Sequence, residues 1–189
     1  MNFLVMEDLV DKVNKALGDF CDEFGETRKK LFNLGRAPAR GRLFKYIPSE
    51  RSWSINEGGG IELQYHLAFD QTKLEVWYGL GFNTNYVPFA NEKSQVEYMQ
   101  PYMNSFLRNE QAIIQNLPGY TFLYGSKEDI KSPKRDQYVL FGKSILVEKK
   151  TNQFSIEESV FANLIADLKN QFESYTLIVA STMDYQKSN

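Results

Sequence analysis

The chain has 189 residues, 42% hydrophobic and 24% charged, with 22 Lys and Arg against 24 Asp and Glu, one Cys and one His. This size and balance suit one ordinary globular domain that buries its own core without staples. The single Cys excludes an internal disulfide and, with the single His, a Cys/His zinc site. No apolar run reaches the roughly 18 residues of a membrane helix.

The chain opens on Met1–Met6, which is apolar, but Glu7 and Asp8 follow at once and no basic region precedes it. The expectation is a cytoplasmic protein without a signal peptide. Phe3, Met6, Val10, Val13, Leu17, Phe20 and Phe24 recur at steps of three and four, and Leu31 and Leu34 extend the pattern. This spacing predicts one long amphipathic helix over residues 1–34, broken or weakened midway at Gly25. Its stripe packs on a core or forms a coiled-coil seam between two copies. A loop follows at Gly35–Gly41, then short strands at Leu43–Ile47 and Arg51–Ile55.

Ile61, Leu63, Tyr65, Leu67 and Phe69 alternate with polar residues, as do Leu74, Val76, Tyr78, Leu80 and Phe82. Two such runs predict an antiparallel hairpin with one apolar face. A two-residue turn would set His66 against Trp77 and Gln64 against Gly79. Ser94 with Glu97 forms a capping box before a second helix that ends at Leu117-Pro118-Gly119, with Pro101 at its start or at a kink. Tyr120–Tyr124 is a strand, 125–136 a charged loop, and Tyr138–Glu148 a strand or a short hairpin bent at Gly142. Ser155 with Glu158 caps a third helix striped by Val160, Phe161, Leu164, Ile165, Leu168 and Phe172, while Tyr175–Ala180 extends it or forms an edge strand. The fold class is α+β, a mainly antiparallel sheet with a long N-terminal helix and two further helices packed on it. One domain covers 1–182, with a helical arm at 1–34, sheet and helices at 42–182, and a frayed tail at 183–189.

The charge is uneven. Residues 1–27 hold seven acids and two bases, a net of −5. Residues 28–51 hold eight bases (Arg28, Lys29, Lys30, Arg36, Arg40, Arg42, Lys45, Arg51) and one acid, Glu50, a net of +7. Five of the seven arginines lie there, interleaved with Phe32, Phe44, Tyr46 and Trp53. Arginine reads phosphate with a planar fork, and basic residues among aromatics are a nucleic-acid footprint. The alternative is a solvated face paired with the acidic first helix. Lys127, Lys131, Lys134 and Arg135 form a second cluster. With Phe 14, Tyr 11 and Trp 2, some aromatics are expected to line a surface or pocket.

Other chemistry is weaker. His66 beside Glu62, Glu75 and Trp77 has the composition of a general base. Cys21 among acids is expected to be an unreactive thiol. Gly79 and Gly81 beside Trp77 leave bare backbone for a flat ligand or a crossing strand. Asp136 with Glu148 and Lys150 loosely fits a Mg-dependent nuclease, although acid-x-Lys spacing recurs at Asp129/Lys131 and Asp167/Lys169. No phosphate-cradling or dinucleotide fingerprint is present.

The element order, the Arg36–Arg51 segment and the aromatics Trp53, Trp77 and Tyr86 together resemble the N-terminal DNA-recognition domains of McrB-type modification-dependent restriction systems. The resemblance covers most of the chain as architecture and carries no residue-by-residue motif. It implies a small α+β module that acts beside a motor subunit and holds a flipped, modified base in an aromatic pocket. The expected activity is therefore non-catalytic recognition of double-stranded DNA, plain or base-modified, in defence. Arg36, Arg40, Arg42, Lys45 and Arg51 would contact phosphates. Trp53, Trp77 and Tyr86 would stack on a base, with Tyr65 and Tyr78 assigned to the core face. No cofactor, metal or membrane is expected, and the alternative functions are a protein-interaction or homo-oligomerisation domain, or the Mg-dependent nuclease.

Overall fold

The structure, a computed structural model, describes residues 3–5, 9–32, 43–44, 52–57, 62–84, 95–150 and 153–188. The chain is α+β. It divides into two compact units, the first from Met1–Ile55, Leu67–Trp77 and Ser144–Lys169, the second from Asn56–His66, Tyr78–Lys143 and Asn170–Asn189.

The predicted long N-terminal helix is replaced by three shorter elements. Strand β1 (Phe3–Val5) is followed by helices α1 (Leu9–Leu17) and α2 (Phe20–Leu31). Gly18 causes the break. Its φ of +54° is left-handed, which ends α1, whereas Gly25 is buried inside α2. The apolar stripe is real: Leu9, Val10, Val13, Leu17, Cys21 and Phe24 are buried. Its continuity as a coiled-coil seam is lost, because two helices offset by a turn cannot present one straight seam.

In the first unit, β1 pairs antiparallel with β8 (Gln153–Glu157), which pairs antiparallel with β7 (Glu148–Lys150). Ser155 stands opposite both Val5 and Glu148. It is therefore a strand residue and not the helix cap expected from its spacing to Glu158. The helix that follows, α5 (Glu158–Ser188), takes in Tyr175–Ala180. Phe69 and Phe154 meet edge to face in this core, ring centres 5.2 Å apart.

The larger sheet has the order β2-β3-β4-β6-β5, with β2 (Ser52–Glu57), β3 (Gln64–Asp70), β4 (Glu75–Asn83), β5 (Thr121–Tyr124) and β6 (Tyr138–Leu146). The hairpin between β3 and β4 has a four-residue turn. Asp70 Oδ1 accepts from the N–H groups of Thr72 (2.8 Å) and Lys73 (3.1 Å), and Leu74 takes a φ of +54°. The longer turn shifts the expected cross-strand pairing by two residues and places Gln64 beside Gly81 instead of Gly79.

In the second unit, helix α3 (Gln95–Asn116) carries Pro101 within it. Ser105 Oγ on α3 donates to the Ile178 carbonyl on α5 at 2.8 Å, and Ser105 and Ser174 are fully buried. Small hydroxyl residues let helices approach closely. The aromatic excess fills this core. Phe106 meets Phe82, Phe122 and Phe141, and Tyr78 meets Tyr120, at 5.3–6.1 Å between ring centres. Gly79 of β4 faces Gly142 of β6, where a Cβ on either would strike the opposite backbone. Gln171 of α5 donates to the Gly79 carbonyl (3.0 Å) and accepts from Tyr120 Oη (3.2 Å), so this tight crossing keeps its polar groups satisfied. The charged loop after β5 contains a short helix, α4 (Lys127–Lys131). Among the described residues no helix is long and apolar enough to cross a membrane.

Candidate nucleic-acid interface

The basic segment starts on α2 itself. Arg28, Lys29 and Lys30 occupy its last turn, where cations complement the helix dipole. The Arg28 guanidinium lies 5.3 Å from the centre of the Phe32 ring, and Lys29 reaches Glu26 at 4.0 Å across one turn. An exposed pair at that distance neutralises little.

The middle of the segment is anchored. Asn14 on α1 is 6% exposed, and its carboxamide makes three hydrogen bonds to the backbone of Leu43 and Phe44. Oδ1 accepts from the N–H of Leu43 (3.0 Å) and of Phe44 (2.9 Å), and Nδ2 donates to the Phe44 carbonyl (2.8 Å). The side chain thus acts as a one-residue strand edge. Leu43 and Phe44, each 1% exposed, are buried between Arg42 and Lys45 in the chain. The sequence shows Asn14 only as a polar interruption beside Val13, and sequence reading overlooked it. The usable signal is an amide on the buried stripe of a helix, where an unpaired polar group would be costly. The predicted phosphate contacts Arg36, Arg40, Arg42, Lys45 and Arg51 lie outside the described residues, as does Tyr86. Trp53 falls in β2, with its side chain outside them.

Trp77 is half-buried on β4. Its Nε1–H donates to Glu75 Oε2 at 2.6 Å, and Lys73 Nζ lies 4.5 Å from its ring centre. One ring face therefore already carries a cation. Tyr65 and Tyr78 are buried, as the alternation predicts. The bare strip at Gly81 is occupied: a Cβ there would lie 2.5 Å from Tyr138 Oη and 3.2 Å from Gln64 Oε1. Together with the close backbone at Gly79, this corrects the flat-ligand reading, since a crossing strand and its tyrosine fill that space.

His66 is buried, and its Nδ1 lies 2.7 Å from Tyr138 Oη. Burial pushes its pKa down to about 4 and that of Tyr138 well up. At neutral pH the imidazole is uncharged, and the tautomer protonated on Nε2 lets Tyr138 O–H donate to Nδ1. The residue is a satisfied core histidine, and its basicity is too low for a general base working near neutrality. Nearby, Gln64 Oε1 is buried without a hydrogen-bond partner among the described residues. Burial, more than the neighbouring Asp22, pushes the Cys21 thiol up. Asp136 sits in a turn of the second unit and Glu148 on β7 of the first. Among the described residues no group of three or more His, Cys, Asp or Glu is arranged to hold a metal ion.

No protein-family model, curated protein or solved structure matches this chain.

Proposed function

We propose that this chain is a non-catalytic DNA-binding module whose principal contact is the basic segment 28–51. The observation that carries the reading is the net charge of +7 in that segment, with five of the seven arginines. Polyanion binding is driven by such clusters, because each phosphate neutralised releases counterions. The Asn14 anchor supports the reading. A segment fastened at its centre presents flanking arginines with less ordering cost than a free loop. At the finer level the module reads a modified base in a defence system, with Trp53, Trp77 and Tyr86 as stacking candidates. This level rests on the architectural resemblance and the aromatic interleaving.

The test is binding of labelled duplexes by wild type and by the double variant Arg40→Ala/Arg42→Ala. Phosphate contacts carry no sequence information, so the variant should weaken binding to every duplex by a similar factor. Unchanged affinity would remove the segment from the reading.

A further inference from the structure

The second basic cluster is sorted by the structure into two kinds of cation. Lys127 pairs with Glu110, and Lys131 pairs with Glu128 at 2.6 Å. Lys134 and Arg135 are exposed, and neither has a carboxylate partner among the described residues. The loop that carries them is held firmly. Thr84, directly after β4, donates its N–H to the Gln137 carbonyl (2.8 Å) and its hydroxyl to the Lys134 carbonyl (2.7 Å). Thr84 Oγ1 also accepts from the Gln137 N–H (2.8 Å), and its carbonyl accepts from the Asp136 N–H (3.3 Å). The Gln137 side chain closes the loop from within: Oε1 accepts from the Lys134 N–H (2.8 Å) and Nε2 donates to Asp129 (3.1 Å). Asp136 takes a φ of +57° to complete the turn. Three acids share residues 125–136, and Glu128 is the one paired with Lys131. Asp129 is engaged by Ser126 and Gln137, and Asp136 is exposed beside Arg135.

We propose that this clamped turn is a second phosphate-contacting surface, with Lys134 and Arg135 as its cations and the DNA backbone as its ligand. The proposal rests on the DNA-binding reading and adds a contact outside segment 28–51. An exposed turn with two adjacent cations cannot enclose a small anion. It adds to the binding of a polyanion already held elsewhere, and the fixed backbone reduces the ordering required on contact. Thr84 is then a positioning residue that fixes where the two cations stand.

The experiment measures duplex affinity across a salt series for the 189-residue wild type, Lys134→Gln/Arg135→Gln, Lys127→Gln/Lys131→Gln, Thr84→Val and Thr84→Ser. Each lost phosphate contact lowers the slope of log K against log salt by about 0.9, so the Lys134/Arg135 variant should lose up to about 1.8. The Lys127/Lys131 variant, whose cations are already paired, should lose less than half of that. Thr84→Val should bind several-fold more weakly with its slope kept, and Thr84→Ser should restore the affinity. Circular dichroism checks that each variant is folded. A wild type that binds with a steep slope, together with an unchanged slope for Lys134→Gln/Arg135→Gln, would overturn this surface and leave the module reading intact. A wild type that fails to bind at low salt would overturn both.

Discussion

Replacing Asn14 by alanine removes the three hydrogen bonds that its carboxamide makes to Leu43 and Phe44. Each such bond contributes about 1 kcal/mol net, and a buried backbone group left unpaired costs about 1–3 kcal/mol. Some of that cost is recovered as water reaches the freed dipeptide, so the expected loss is about 3–5 kcal/mol. Against a total stability of about 5–15 kcal/mol, this is a large fraction. With a urea m-value of about 2 kcal/mol/M, the midpoint should fall by about 2 M at unchanged slope. Urea unfolding followed by tryptophan fluorescence reads this directly. At low urea, where the variant is still folded, DNA affinity should also fall although every basic residue remains. A midpoint within about 0.5 M of wild type would refute the reasoning, because it would mean that the carboxamide does not carry the anchor.

The single histidine gives an unambiguous resonance. Its NMR midpoint should lie near 4, where burial places it, and not near the ordinary 6.5. Because the folded pKa is depressed, the unfolded chain takes up the proton first. Stability should hold above pH 6.5 and fall between 6.5 and 4, by about 3 kcal/mol in all. A midpoint near 6.5 would place the imidazole in solvent. Gly81→Ala should push Tyr138 away from His66, raise that midpoint by removing a hydrogen bond to the neutral ring, and cost about 1–3 kcal/mol. An unchanged midpoint would contradict the crossing geometry. Gln64→Leu removes a buried acceptor that has no partner among the described residues, so its urea midpoint should equal or exceed that of wild type. A clear drop would mean that Gln64 is satisfied.

The hairpin was legible because period-two alternation survives any register. Its turn was not, since Asp70 captures two N–H groups by side-chain geometry that alternation does not encode. Helix α3 was legible from its stripe, and Pro101 is accommodated within it. The N-terminal stripe was read correctly as buried at Val10, Val13, Leu17 and Phe24, but the break expected at Gly25 falls at Gly18. The apolar steps of three and four run past Gly18 unbroken, and only its left-handed backbone ends the helix. β1 and β8 were missed because their pairing is between residues about 150 apart in the chain, so no local pattern announces it. Ser155 shows the cost of a local rule: a capping-box spacing appears in a residue that strand pairing claims. At the candidate interface, the charge was legible in full. The Asn14 anchor and the Thr84 clamp were not, because each joins a polar side chain to a backbone about 30–50 residues away.

The central claim is that this chain binds DNA through its clustered cations. Fluorescence anisotropy of the intact protein with plain and base-modified duplexes, at about 50 and 200 mM salt, tests it most directly. If six or more phosphates are contacted, affinity should fall by about 10³-fold or more between the two, and one modification should bind tighter than plain duplex at both. Absence of binding at the lower salt would contradict the account and make the +7 segment an ordinary solvated surface.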